Sequence, residues 1–300
     1  MISRGALEFK SSDVPPLPVN HCAAAIARSE DDGFRSSVVR KLVQCRVDSR
    51  ANDRRCTSNS VPKTIIQFWD NLFDVPEDVR ICMESWQPLR KEGFTVACFD
   101  DSSARRFIAD NLGPRHLKAL AACYHPAMRS DYFRLCYIGL RGGCYVDADD
   151  VYSGQSLHAL FEDGRLKLQP LCYDILTGTM VLPAMFIIPG VDSKNWIFYF
   201  NNNPLIGPPR HPIVLRALER STRILTGTPS GELPEIQSTT GPGNLTASLV
   251  AQALICDENE ADLALMVVPT WERYATSVWP LSYRADARNW RLSNRRDVLR

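Results

Sequence analysis

The sequence predicts an α/β fold, a Rossmann-like, mostly parallel sheet flanked by helices. Three observations predict it. A β-branched and aromatic run, Thr64-Ile65-Ile66-Gln67-Phe68-Trp69, is followed by a helical pattern, then by an apolar run over 94–99 and a second helical pattern. Between the runs, Val79, Cys82, Met83 and Trp86 recur at helical spacing, which makes one apolar face. A third helix, predicted over 128–141, passes through Gly142-Gly143 into a short strand, Cys144-Tyr145-Val146, that ends on an acidic cluster. Open α/β sheets bind ligands outside the carboxyl ends of such strands.

The elements follow in order. Residues 1–60 are rich in Ser, Arg and Asp, hold Pro15, Pro16 and Pro18, and show little sustained periodicity. They predict a poorly ordered leader with short helical pieces around 23–26 and 38–43. Residues 61–300 form the expected single domain. Pro76-Glu77-Asp78 opens the first helix of that domain, with acids where the helix dipole favours them. Asp100, Asp101 or Ser102 can cap the next helix, whose core face is Ala104, Phe107 and Ile108. After residue 150 the pattern is mixed: 196–200 is aromatic, 211–225 and 245–255 read as helices, and 265–268 reads as a strand.

The 300 residues are 45% hydrophobic and 23% charged, enough to bury one large core. A formal net charge of +1 gives no global field to gather nucleic acid or a membrane, so a polyanion has to be held locally. The ten cysteines include no CxxC pair, which suits reduced core thiols. No apolar stretch is long enough to span a bilayer, and no signal peptide is visible. These features point to a cytoplasmic protein without a membrane span and without nucleic acid as partner.

Asp147-Ala148-Asp149 sets two carboxylates two residues apart just past a buried strand, on the same side if the strand geometry persists. Two such carboxylates repel unless a cation compensates. A hard divalent ion sharing phosphate oxygens is the usual compensation, and a solvated surface turn is the bland alternative. Asp131 and Arg134, three apart, share a face of the preceding helix. Arg134 is a candidate oxyanion contact, with an internal helix ion pair as the alternative.

The run Met128-Arg129-Ser130-Asp131-Tyr132-Phe133-Arg134, followed by Gly142-Gly143-Cys144-Tyr145-Val146-Asp147-Ala148-Asp149, resembles the signature of the DXD-containing sugar transferases of the glycosyltransferase family 32 type. That family includes yeast initiating mannosyltransferases, α-1,4-glycosyltransferases and clostridial glucosylating toxins. Val61-Pro62-Lys63-Thr64-Ile65-Ile66-Gln67-Phe68-Trp69 is similar to its opening strand. Asn203-Pro204-Leu205-Ile206-Gly207 with His211-Pro212, and Thr240-Gly241-Pro242, are similar to later segments. The resemblance covers about residues 61–280. It implies a GT-A fold with a mixed C-terminal acceptor-side region, and retaining transfer of a hexose or N-acetylhexosamine from a UDP- or GDP-sugar to a glycan, lipid-linked or protein hydroxyl. It implies Mn²⁺ or Mg²⁺ as cofactor, with Asp149 and Asp147 as ligands, Asp149 the closer. By the same resemblance Trp69 stacks on the base, Asp131 and Arg134 hold the sugar and phosphates, and Tyr145 lines the donor pocket. A core tryptophan is the alternative for Trp69. Asn203 is a candidate sugar contact, with an ordinary turn, Asn201-Asn202-Asn203 before Pro204, as its alternative. A bacterial enzyme of polysaccharide biosynthesis fits, either cytoplasmic or peripheral to the membrane; a secreted effector led by residues 1–60 is the other placement.

The chain departs from that pattern at two places. Gln67 follows Ile66 where a His is common. No His follows His211, whereas many members carry a late one; Trp279 and nearby polar groups are the candidates to close the site. His125 and His211 precede prolines and read as turn or helix-start residues. Arg284, Arg288, Arg291, Arg295, Arg296 and Arg300 read as a solvated helix face, with an anionic acceptor or membrane as the alternative. Two rival functions exist. Asp147-Ala148-Asp149-Asp150-Val151 satisfies a haloacid-type phosphohydrolase pattern, but only three residues separate Gly143 from Asp147 and no convincing downstream acidic pair follows. The other rival is a non-catalytic sugar-nucleotide binding protein on the same fold. An EF-hand is excluded by Tyr152 and His158 at its required Gly and Glu positions.

Overall fold

The computed structural model of the chain describes residues 19–47, 60–229, 231–256 and 263–292. Two helices, α1 (Val19–Ser29) and α2 (Asp32–Val47), precede the sheet. β1 (Thr64–Phe68) leads through α3 (Glu77–Glu84) to β2 (Thr95–Phe99), which lies parallel to β1 with Ile65 opposite Val96. Then come α4 (Asp101–Asn111), α5 (Pro114–Ala122) and α6 (Pro126–Arg141). β3 (Gly143–Tyr145) adds to β1 in parallel, Ile66 opposite Tyr145. The second half holds β4 (Asp150–Tyr152), β5 (Leu166–Asp174), β6 (Thr179–Met180), α7 (Pro183–Phe186), β7 (Trp196–Gly207), α8 (Pro212–Gly227), α9 (Ile236–Thr239), α10 (Pro242–Ile255), β8 (Leu265–Val267) and β9 (Ala275–Ser277).

The main sheet runs β2-β1-β3-β7-β5-β6, with β8 on β5. β7 is antiparallel to both β3 and β5, while β8 is parallel to β5. β1, β2, β3, β5 and β8 therefore point one way, and β7 and β6 run against them, so the expected mostly parallel α/β sheet is present. The β5–β7 register shifts between Leu168 and Pro170, where proline has no N–H to give the ladder. Among the described residues no helix is long and apolar enough to cross a membrane.

The leader expectation needs correcting for residues 19–47. α1 packs on α10 and α2 on β7. Val39 and Val43 are fully buried in the main core. Ser36 Oγ accepts the Phe198 N–H at 3.0 Å, and Arg220 pairs with Glu30 at 2.7 Å. An apolar face of α2 too irregular to read as periodic is matched by β7, a contact that sequence spacing does not show. Residues 1–18 and 48–59 lie outside the described residues.

Two local devices aim the chain at the site. Asp100 caps α4: its carboxylate accepts the Ser103 N–H at 2.8 Å and its own N–H donates to Ser103 Oγ at 2.8 Å. Gly142 and Gly143 end α6 at φ 67° and 117°. A Cβ on Gly143 would sit 2.8 Å from the Thr64 carbonyl oxygen, so only a bare Cα lets β3 lie against β1. Gly93 has φ 85° with nothing near its missing Cβ. Gly143→Ala is therefore expected to cost at least ~2 kcal/mol more than Gly93→Ala, whose cost of about 1 kcal/mol is backbone strain alone. Urea unfolding of the two variants side by side checks this; equal losses would mean that the Thr64 contact yields freely.

Candidate active site

A cavity of about 300 Å³ opens at the carboxyl ends of β1 and β3. Its lining includes Trp69 and Asp70 just past β1, Ser130, Asp131 and Arg134 on α6, and Tyr145, Asp147 and Asp149 at and beyond the end of β3. Asn201, Asn202, Gln237, Trp279, Tyr283, Arg284, Arg288 and Arg291 complete much of the remaining wall. The strand ends of a largely parallel sheet are where such a cavity is expected.

The acidic turn is held from three sides. The Trp86 indole N–H donates to the Asp150 carbonyl at 2.9 Å, and the Tyr152 N–H donates to Ser85 Oγ at 2.9 Å, tying the turn to the end of α3. Asn203 accepts the Asp147 N–H at 3.1 Å and donates to Asp150 Oδ2 at 2.8 Å. β4 pairs with β9, so Ser277 donates to Asp150 Oδ1 at 2.5 Å and the Val278 N–H reaches the Asp149 carbonyl at 3.0 Å. That small sheet brings the C-terminal segment across the cavity mouth.

On the α6 side, Arg134 is almost wholly enclosed. It pairs with Asp131 at 3.0 Å and Asp147 at 2.8 Å, and donates to the Asn202 carbonyl at 2.8 Å. Its guanidinium carbon lies 4.0 Å from the centroid of the Tyr145 ring, whose hydroxyl is 2.6 Å from Ser130 Oγ. Asn202 closes the ring by donating to Asp131 Oδ1 at 2.8 Å. On the C-terminal side, Tyr283 donates to Asp149 Oδ2 at 2.8 Å and Arg284 pairs with the same oxygen.

The charges strain one another. Burial, opposed by Arg134 and aided by Asp147, pushes the Asp131 carboxyl up to about 6. Burial and then the Asp147 and Asp149 charges push Asp150 up to about 7, and burial followed by Asp147 raises Asp149. For Asp131 the folded chain binds the proton more tightly than the unfolded chain. Ionising Asp131 thus subtracts stability as pH rises from about 4 through 6. Relative to Asp131→Asn, the wild-type protein is expected to lose up to ~3 kcal/mol between pH 4 and 7. Denaturant unfolding of both proteins across that range reads it; a flat difference would place Asp131 at an ordinary carboxyl pKa.

Asp131, Arg134, Tyr145, Asp147, Asp149, Trp69 and Trp279 all line the cavity. Asn203 does not. The structure places it behind the acidic turn, clamping Asp147 and Asp150, because its amide has both a donor and an acceptor to give. Asn201 and Asn202 face the cavity in its stead. Trp69 is nearly buried: Tyr283 meets it edge-on at 5.3 Å and Arg288 lies over its ring at 5.3 Å. Trp279 is 55% exposed with Arg284 stacked 3.3 Å from its ring centroid.

The C-terminal arginines also need correcting. Arg284, Arg288 and Arg291 turn inward onto aromatic rings rather than forming a solvated face. Their i, i+4, i+7 spacing, interleaved with Trp279, Tyr283 and Trp290, was the available signal. Arg295, Arg296 and Arg300 lie outside the described residues. His125 and His211 do serve helix starts: their Nδ1 atoms accept the N–H groups of Ala127 and Ile213. The phosphohydrolase pattern finds no support, since among the described residues no Lys lines the cavity and both carboxylates of the motif are engaged by arginines.

The donor set suits a divalent ion that arrives with a ligand. Among the described residues no group of three or more His, Cys, Asp or Glu could hold a metal ion on its own. Mg²⁺ and similar ions, however, commonly use one or two carboxylates and complete the shell with water and phosphate oxygens. Asp147 and Asp149 are such a pair on the cavity wall. The Nε atoms of Arg134 and Arg284 are buried without a hydrogen-bond partner, which leaves guanidinium donors over for an anion.

Fold and site define an α/β protein with a mixed carboxylate and guanidinium cavity at its parallel strand ends. Among solved structures, the chain is similar to PaToxG glycosyltransferase, with 12% sequence identity and a TM-score of 0.41, the match covering 92% of this chain and 98% of that one. No protein-family profile and no curated protein sequence matches it. At that identity and TM-score the likeness carries no argument about the site, whose chemistry rests on its own residues.

Proposed function

We propose that the chain is a retaining glycosyltransferase of GT-A type. It moves a hexose or N-acetylhexosamine from a UDP- or GDP-sugar to a hydroxyl acceptor, with Mn²⁺ or Mg²⁺ assisting. One observation carries the reading: two runs of contacts along a single cavity, joined by the backbone of the acidic turn. One runs from the Trp69 ring through Tyr283 to Asp149, the other from Asp147 through Arg134 to Asp131 and Asn202. An aromatic surface, a pair of carboxylates, a guanidinium and a hydrogen-bonding acid follow one another in the order base, diphosphate, sugar.

In this reading Trp69 offers its ring to the base, sharing the face with Arg288. Asp149 and Asp147 hold the divalent ion, which when bound neutralises charge on the leaving diphosphate. Arg134 orients the phosphates with a fork already fixed by Asp131, Asp147, Ser130 and the Asn202 carbonyl, so little reorganisation is needed. Asp131 accepts from the sugar hydroxyls. Of the serines that line the cavity, Ser130 is engaged by Tyr145 and Arg134, and Ser277 donates to Asp150 as part of the brace on the acidic turn. The acceptor hydroxyl is therefore the nucleophile, attacking on the face the diphosphate leaves. The acceptor is a glycan, a lipid-linked sugar or a protein side chain, and the expected setting is a bacterial cytoplasm.

Purified protein incubated with Mn²⁺ and a panel of UDP- and GDP-sugars, with hydrolysis of the donor followed by release of nucleoside diphosphate, tests the proposal. Slow donor hydrolysis without an acceptor is the expected result. No turnover of any member, with or without acceptor extracts, removes the enzyme reading and leaves the non-catalytic binding protein.

A further inference from the structure

The cation paired with Asp149 comes from the protein itself. Arg284 pairs with Asp149 Oδ2 beside the Tyr283 hydroxyl, and its plane is set by Trp279 at 3.3 Å. Arg291 lies 5.1 Å from the same Trp279 ring and 4.7 Å from Trp290, so the segment presents guanidiniums stacked on indoles. Arg284 keeps only about a tenth of its side chain exposed, and its Nε has no partner. The cavity thus holds an internal ion pair between a carboxylate suited to a divalent ion and a guanidinium suited to phosphate.

Neither charge can give up the other cheaply in free energy. If Asp149 turned to a divalent ion alone, Arg284 would be left unpaired in a site mostly closed to water. If Arg284 turned to a diphosphate alone, Asp149, an almost wholly enclosed carboxylate in the same turn as Asp147 and Asp150, would be left without its counter-charge. When both arrive, Asp149 takes the ion, Arg284 takes a phosphate oxygen, and every charge keeps a partner. We propose that Arg284 is a diphosphate-binding residue that exchanges partners, and that the Arg284–Asp149 pair thereby couples binding of the divalent ion to binding of the nucleoside diphosphate. This rests on the proposed donor site and adds a recognition residue and a linkage to it.

The test is direct binding, with no turnover needed. Mn²⁺ bound to the full chain is counted by electron paramagnetic resonance, with and without UDP or GDP, and nucleotide binding is measured by calorimetry with and without Mn²⁺. In the wild-type protein one of the two nucleotides is expected to tighten Mn²⁺ by about tenfold or more, and Mn²⁺ to tighten that nucleotide by the same factor. Arg284→Gln removes the internal cation. Mn²⁺ alone should then bind several-fold tighter, the nucleotide should bind about tenfold weaker with Mn²⁺ present, and the coupling should fall to within about threefold of none. Arg284→Lys keeps a cation beside Asp149, so Mn²⁺ alone should bind within about twofold of wild type. A Gln variant that is folded by thermal melting yet binds Mn²⁺ alone no tighter, or keeps full coupling, overturns the exchange while the donor site stands. If the Gln variant does not fold, the Lys variant decides: tighter binding of Mn²⁺ alone overturns the exchange. Wild-type protein that binds neither Mn²⁺ nor either nucleotide overturns both the exchange and the site.

Discussion

Asp149→Ala is expected to lower donor turnover by roughly 10³-fold and to cost the folded state about 1–3 kcal/mol. The two halves of that expectation have separate causes. The carboxylate sits at the cavity wall beside Asp147, so removing it takes away half of the oxygen pair proposed for the divalent ion. Yet the same carboxyl is held above its ordinary pKa by burial and by Asp147, so its ionisation works against folding at neutral pH. Loss of the Tyr283 contact, and the enclosed Arg284 guanidinium left without its carboxylate, outweigh that relief, so the net loss should be about 1–3 kcal/mol. Asp149→Asn, which keeps the volume and an acceptor for Tyr283, should lose turnover as fully. Donor hydrolysis and thermal melting of the purified variants report the two quantities. Retained turnover in either variant would remove Asp149 from the mechanism even if the activity is real.

Arg134→Ala is expected to be among the most destabilising single changes in the cavity, costing about 3–5 kcal/mol at pH 7. The side chain is 4% exposed and compensates Asp131, which has little solvent to turn to, and Asp147, which is 35% exposed. Removing the guanidinium leaves Asp131 with Asn202 and Thr240 alone, and leaves the Asn202 carbonyl without its donor. For a chain of this size that loss corresponds to roughly 10 °C in melting temperature. The penalty should shrink below about pH 6, because Asp131 then takes up a proton and no longer needs a counter-charge. Arg134→Lys should rescue only part of it, since one ammonium cannot reproduce a fork that meets Asp131, Asp147 and the Asn202 carbonyl at once. Denaturant unfolding at pH 7 and pH 5 measures the difference. A loss under about 1 kcal/mol at both pH values would mean that the network is not what holds α6 to the acidic turn.

Much of the first half of the fold could be read from residue order because its information is local. Apolar spacing at Val79, Cys82 and Met83 placed α3, Asp100 capped α4, and Gly142-Gly143 ended α6 where only positive φ fits. The second half was read less well. β5 and the β4–β9 pair gave no clear period, and β7 showed only its aromatic start, because pairing partners there lie far apart in sequence. α2 was taken as part of a weakly ordered leader, since its helix is stabilised by β7 rather than by an apolar stripe of its own.

The candidate site divides the same way. Sequence alone determined that Asp131, Arg134, Tyr145, Asp147 and Asp149 belong together, because one helix, two glycines and one short strand fix their separation within nineteen residues of chain. Only the tertiary structure decided that Asn203 braces the turn from behind while Asn202 faces the cavity, because Asn202 meets Asp131 of α6 and Asn203 meets Asp150 of the acidic turn. Only it brought Tyr283, Arg284 and Arg291 to the mouth, by pairing β9 with β4 across more than a hundred residues. Helix period and glycine geometry are written in neighbouring residues, whereas the meeting of a late guanidinium with an early carboxylate is set by the sheet that folds between them.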